Sequence, residues 1–223
     1  MSDFPSKVPE WVRWIPAVVL SAIIIAAVAF AASQGPRLAA GPGPAETNEV
    51  DDLNFSVFTE EGLAFIEEQR IPRLDLRELP VETEPLSLPA DGELVIGPHP
   101  RELDYRLVLL ASGGDGGARF TTGTFTIATA EGEVRELRVA PPREIAFGTF
   151  RDVEAFAVES AERFGYPPIA NGTLLDLVLA AQTSGQPETT RTESGDRIGL
   201  PAHLEITCTG DAICQPVFVI AVE

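Results

Sequence analysis

The sequence predicts an α+β domain held behind a single transmembrane helix, and three observations predict it. An uncharged run fills residues 14–32, strand-like patterns occupy residues 103–139 and the C-terminus, and two segments between them repeat their apolar residues at helical spacing. The expected parts are a cytoplasmic N-terminus over 1–13, an anchor over 14–32, a Gly/Pro-rich acidic tether over 33–52, and an acidic extracytoplasmic domain over 53–223. That domain is expected to hold an antiparallel β-meander, two packed helices and a disulfide-clamped C-terminal β-hairpin.

The anchor is the plainest element. Trp14, Ile15, Val18, Val19, Leu20, Ile23, Ile24, Ile25, Val28 and Phe30 give it an apolar surface, and Ser21 is its one weakly polar side chain. At about 1.5 Å per residue the run reaches roughly 28 Å as a helix, close to the thickness of a bilayer's hydrocarbon. Only a helix satisfies the backbone of such a run in lipid, and Pro16 falls in the first turn, where a missing N–H costs little. A cleaved signal peptide is the competing reading, with Ala29-Phe30-Ala31 as the cleavage site. Against it, the run exceeds the usual apolar core of about 7–15 residues, and Trp11 and Trp14 sit where an interfacial aromatic belt belongs. Lys7, Arg13 and the N-terminal amine precede the span, and only Arg37 follows it before Arg70, which puts the N-terminus in the cytoplasm and the domain in the periplasm or outside the cell.

Composition narrows the partners. The formal charge is −18, and Asp3, Lys7, Glu10 and Arg13 cancel, so the acidity lies beyond the anchor. Such a domain repels nucleic acid and anionic headgroups, which leaves other membrane or envelope proteins as the expected partners and the bilayer as a contact of the helix alone. Lys7 is the only lysine, a bias that suits either a high-salt habitat or a GC-rich genome.

Along the domain, Leu53-Asn54-Phe55-Ser56-Val57 alternates like a half-buried strand. Thr59, followed by Glu60 and Glu61, starts a short helix that Arg70 and Pro72 end. Pro72, Pro80, Pro85, Pro89, Pro98 and Pro100 then permit only short extended pieces such as Leu94-Val95-Ile96. From Leu103 the pattern is β: Tyr105–Ala111, a glycine loop, Arg119–Ala130, a turn at Glu131-Gly132 and Val134–Val139 form the meander. Thr149 with Asp152 opens a helix whose face carries Phe150, Val153, Ala157, Ala161 and Phe164, with Phe156 and Val158 at its margin and Gly165 closing it. This face is expected to pack on the strands of residues 103–139. Thr173 with Asp176 opens a second helix, apolar nearly all round and so expected to be largely buried, which ends near Gly185. Residues 183–197 read as a mobile polar loop, and His203–Thr207 with Pro216–Val222 as the final hairpin.

Candidate chemistry is sparse. Cys208 and Cys214 lack zinc or CxxC spacing, and pairing across the last hairpin at a Cα separation of roughly 4.5–5.5 Å makes them a structural disulfide. Gly113-Gly114-Asp115-Gly116-Gly117 lacks the Lys-Ser/Thr of a phosphate loop and reads as a hairpin turn. The acid pairs Asp51-Asp52, Glu60-Glu61 and Glu67-Glu68 read as solvated surface, and His99 and His203 as loop or edge residues. Asn171-Gly172-Thr173 fits both a glycosylation sequon and a helix cap, and the cap is the preferred reading. No catalytic residue, cofactor site or metal site is identified. The expectation is a non-catalytic accessory, assembly or scaffolding subunit of a larger membrane complex. A binding module for a small ligand or cationic partner is the alternative, and an enzyme of unfamiliar type the third reading.

Overall fold

Strand alternation builds two facing sheets where the sequence suggested one meander. The computed structural model describes residues 56–222, so the predicted anchor, tether and Leu53–Phe55 lie outside the described residues. In order, the elements are α1 (Glu60–Gln69), β1 (Arg73–Leu76), β2 (Gly92–Ile96), β3 (Tyr105–Ala111), β4 (Gly117–Thr122), β5 (Phe125–Ala130), β6 (Glu133–Val139), the single turn α2 (Arg143–Ala146), β7 (Gly148–Thr149), α3 (Phe150–Phe164), α4 (Thr173–Ser184), β8 (Glu188–Arg191), β9 (Ala202–Cys208) and β10 (Ile213–Ala221). Among the described residues no helix is long and apolar enough to cross a membrane.

The small sheet has the order β1-β3-β4, with β1 parallel and β4 antiparallel to β3. The large sheet runs β2-β5-β6-β10-β9-β8, antiparallel throughout, and β7 pairs with the start of β10. Alternation turns Tyr105, Leu107 and Leu109 of β3 inward, as it does Ile127 of β5, Leu137 of β6 and Leu204 of β9, and all join one buried cluster. Aromatic rings bridge the sheets, Tyr105 to Phe125 at 6.4 Å and Phe120 to Phe218 at 5.6 Å between centroids.

The predicted strand Arg119–Ala130 is therefore two strands in different sheets. Thr122 and Thr124 make the break: the Thr122 hydroxyl donates to the Thr124 carbonyl at 2.7 Å and accepts from the Thr124 N–H at 3.2 Å. Backbone groups that a continuous strand would pair are satisfied within the corner. Gly97 fits against that corner at φ 100°, where a Cβ would lie 2.5 Å from the Gly123 carbonyl oxygen.

Both ends of α1 follow the sequence reading. The Thr59 side chain accepts from Gly62 N–H, and Arg70 closes the helix in the left-handed region. Ser56 and Val57 do not continue a strand; Ser56 N–H donates to the Arg73 carbonyl at 2.9 Å while its hydroxyl accepts from Arg73 N–H at 2.8 Å. Most of the proline-rich stretch is irregular, as expected, yet Arg73–Leu76 forms β1 by burying Leu74 and Leu76 beside β3.

The α3 capping box forms as predicted, with Thr149 Oγ1 accepting from Asp152 N–H and Asp152 Oδ2 from Thr149 N–H, and Gly165 ends the helix at φ 79°. Val153, Ala157, Ala161 and Phe164 are buried and Phe150 is half-buried. The expected partner changes, however. α3 lies mainly on β9 and β10, because that hairpin occupies the middle of the large sheet; the Phe164 ring meets Phe120 of β4 and Phe218 of β10.

α4 spans the expected residues but is not largely buried. It hides Leu174, Val178 and Ala181, and leaves Leu175 and Leu179 exposed at its outer side. Residues 183–197 are not simply a loop either. β8 pairs with β9, and Thr192 Oγ1 accepts from Leu204 N–H at 2.9 Å, so polar side chains mask an edge strand. The final hairpin forms as read, its extent Ala202–Cys208 and Ile213–Ala221.

Candidate functional site

β4 is an edge strand, and its alternation decides what it offers. Phe120 and Thr122 point into the core, while Arg119 and Thr121 are exposed. β3 gives its Arg106 and Val108 N–H groups to Arg70 and Pro72, which leaves Leu107 and its in-phase neighbours to pair with β4 and turns the Arg119 carbonyl toward the free edge. Arg163, in the last turn of α3, donates to that carbonyl and lies over two rings, 5.7 Å from the Phe120 centroid and 5.4 Å from that of Phe164. Cation–π attraction and the hydrogen bond fix the guanidinium in place and blunt the strand edge.

Two hollows meet at this pair of arginines. A cleft of about 270 Å³ has Phe120, Phe156, Phe164 and Phe218 in its walls with Pro142 and Ile145, and Arg119, Thr121, Glu159, Ser160 and Arg163 complete its lining. Its aromatic lining is tightly knit, with Phe164 to Phe218 at 4.6 Å and Phe156 to Phe218 at 5.6 Å between centroids. A groove of about 410 Å³, also bordered by Arg119 and Arg163, is lined by Val108, Leu110, Asp115–Ala118 and Ile198.

Ion pairs engage four other arginines of the domain. Asp75 holds Arg77 at 2.6 Å, Glu133 holds Arg135 at 3.0 Å, Glu205 holds Arg138 at 2.7 Å and Asp115 holds Arg197 at 3.4 Å. Arg119 and Arg163 have no carboxylate partner among the described residues. A guanidinium with free planar donors beside an aromatic wall suits a carboxylate carried next to an apolar side chain. At the back of the same cluster Tyr166 lies parallel to Phe164, 6.2 Å between centroids. Burial pushes its phenol well above the ordinary range, and the buried hydroxyl has no hydrogen-bond partner among the described residues.

None of the residues singled out in the sequence for chemistry builds this site except Asp115 and its glycine neighbours. Cys208 and Cys214 stand opposite each other and are bonded, both fully buried, at a Cα separation of 4.1 Å, closer than expected. The glycine loop is the β3–β4 turn; Asp115 N–H donates to the Arg197 carbonyl at 2.7 Å, and a Cβ on Gly199 would sit 2.1 Å from the Gly113 carbonyl oxygen. His99 is a loop residue, as read, in the connection between β2 and β3. It is buried, accepts from Arg101 N–H through Nδ1 at 3.0 Å, and so donates through Nε2 to the Glu67 carbonyl at 3.1 Å. His203 lies half-buried on β9. Glu60, Glu61, Glu67 and Glu68 are exposed on α1, and Asp51 and Asp52 lie outside the described residues. Among the described residues no group of His, Cys, Asp and Glu is arranged to hold a metal.

Sequence reasoning missed Arg119, Arg163 and Phe218 as a site because they belong to separate elements, β4, α3 and β10. The available signal was Phe156, at the margin of the predicted apolar face and so free to line a cleft. Compared with protein-family models, curated proteins and solved structures, the chain matches none.

Proposed function

We propose that this chain is a non-catalytic, single-pass accessory subunit of a larger membrane complex, which docks a partner protein through the cleft at Arg119 and Arg163. Residues 14–32 anchor it with the N-terminus in the cytoplasm, and the α+β domain works outside the cytoplasm at the end of its tether. The carrying observation is the unpaired arginine couple over an aromatic cleft in a chain where acids outnumber lysines and arginines 34 to 16. Buried aromatic side chains with a flanking Arg are the composition of interface hot spots. This makes the expected partner surface acidic and apolar, against the cationic partner that net charge alone suggests.

The test uses the full chain in its native membrane, with a photoreactive phenylalanine analogue replacing Thr121 in the cleft wall or, as a control, Arg191 on the far edge strand β8. The reading expects one discrete protein adduct from the Thr121 position, lost when Arg119→Glu is added, and none from the Arg191 position. Equal labelling from both positions, or adducts indifferent to Arg119→Glu, would contradict it.

A further inference from the structure

The turn that joins α3 to α4 carries Asn171-Gly172-Thr173, and its geometry removes the capping role that the sequence offered these residues. Gly172, at φ 84° and ψ −9°, is itself the N-cap of α4, with no side-chain cap, so Thr173 is the first helical residue and not the cap. Thr173 N–H donates to the Ala170 carbonyl at 3.1 Å and closes a four-residue turn. The Gly172 dihedrals are those of the third position of a type II turn, which sets Asn171 at the outer corner. Glu154 of α3 holds this corner by accepting from Gly172 N–H at 2.9 Å.

What remains free is the sequon's own chemistry. Asn171 is exposed, and neither its carboxamide nor the Thr173 hydroxyl bonds to any described residue. A Cβ placed on Gly172 would meet nothing within 4 Å, so the turn projects into open space with room for a bulky adduct. The middle residue is glycine, where proline would forbid the reaction.

We propose that Asn171 is the acceptor of an N-linked glycan. The transfer forms a bond between Asn171 Nδ2 and the anomeric carbon of an oligosaccharide, and breaks the bond from that carbon to the pyrophosphate of a polyprenyl-linked donor. The amide nitrogen gives up one proton, the polyprenyl pyrophosphate leaves, and nothing is oxidised or reduced. The inference rests on the proposed placement of the domain outside the cytoplasm.

Full-length chain is synthesised with endoplasmic-reticulum microsomes and its glycans counted by mass before and after glycosidase. With the chain's other sequon, Asn54-Phe55-Ser56, removed by Asn54→Gln in every variant, the expected result is one glycan, absent from Asn171→Gln and Thr173→Ala and kept by Thr173→Ser. In that background Val50→Thr completes a separate sequon at Asn48 in the tether, which reports topology alone. A glycan at Asn48 with none at Asn171 overturns the acceptor site and leaves the topology standing; no glycan at either position overturns both. In protein taken from the membranes of the cells that make it, the peptide containing Asn171 carries the same modification, and a wholly unmodified peptide overturns the assignment.

Discussion

The outer faces of the two sheets treat their arginines in opposite ways. On the large sheet Arg138 is held between Glu136 at 3.2 Å and Glu205 at 2.7 Å, and it stands opposite Val219, which is only 3% exposed although it faces outward. Arg135 is held likewise by Glu131 and Glu133. On the small sheet Arg73, Arg106 and Arg119 are exposed around half-buried Val108 and Leu110, while the nearby carboxylates Asp75 and Asp115 are already taken by Arg77 and Arg197. Acids outnumber cations in this chain, so unpaired arginines reflect where residues are placed and not a shortage of partners. The closed face looks after itself; the open face has donors and apolar surface to give to another molecule.

Removing what joins the two sheets breaks the comparison most severely. Phe164, 1% exposed and in ring contact with Phe120 and Phe218, is expected to cost roughly 3–5 kcal/mol as Phe164→Ala in denaturant unfolding of the full chain. A change below about 1 kcal/mol, in the range of surface substitutions, would mean that the ring does not hold the sheets together. Next comes the clamp on the large sheet. Cys208 and Cys214 are six apart in sequence, a small loop for which the chain-entropy relation gives about 2.4 kcal/mol. Replacing both with Ser should lower the melting temperature while leaving a folded domain, and two thiols that alkylate in wild-type protein without reductant would show that the bridge does not form.

The faces themselves come lower on the scale. Arg138→Ala, which opens a half-exposed network, is expected to cost about 0.5–1 kcal/mol, and Arg119→Ala to stay within about 0.5 kcal/mol, both read from denaturant midpoints. A larger loss at Arg119 than at Arg138 would reverse the assignment of structural and binding roles. The smallest effect is that of Asp75. Its hydrogen bond to Arg77 holds the carboxyl below its ordinary range, so the pair stabilises the fold above the unfolded carboxylate pKa near 4, and that contribution is lost as the pH falls. Asp75→Asn should therefore lower stability slightly at neutral pH and flatten the acid limb, so that variant and wild type converge at low pH; a difference between them that grows as the pH falls would contradict this sign.

Local grammar was legible in the chain: the Thr59 and Thr149 caps, the Gly165 and Gly185 stops, the glycine hairpin and the facing cysteines all depend on residues a few positions apart. Choices between sheets were not. Nothing local at Thr122-Gly123-Thr124 distinguishes a continuous strand from a corner, because the alternative hydrogen bonds are made by the same two threonines. α4 shows a related limit, since its uniform leucines satisfy a buried helix and an exposed one until the neighbours on each side are known. The cleft escaped for the same reason. Arg163 reads as an ordinary cation in a helix's last turn, and becomes part of a site only when β4 brings Phe120 and the Arg119 carbonyl beneath it.

The most direct measurement is native mass spectrometry of the full chain extracted in mild detergent, comparing wild type with Arg119→Glu and Arg191→Glu. The account predicts that wild type and Arg191→Glu carry the same stoichiometric protein partner, and that Arg119→Glu is recovered folded but without it. A complex that survives Arg119→Glu intact, or one that Arg191→Glu disrupts equally, would contradict the assignment of the open face as the docking surface.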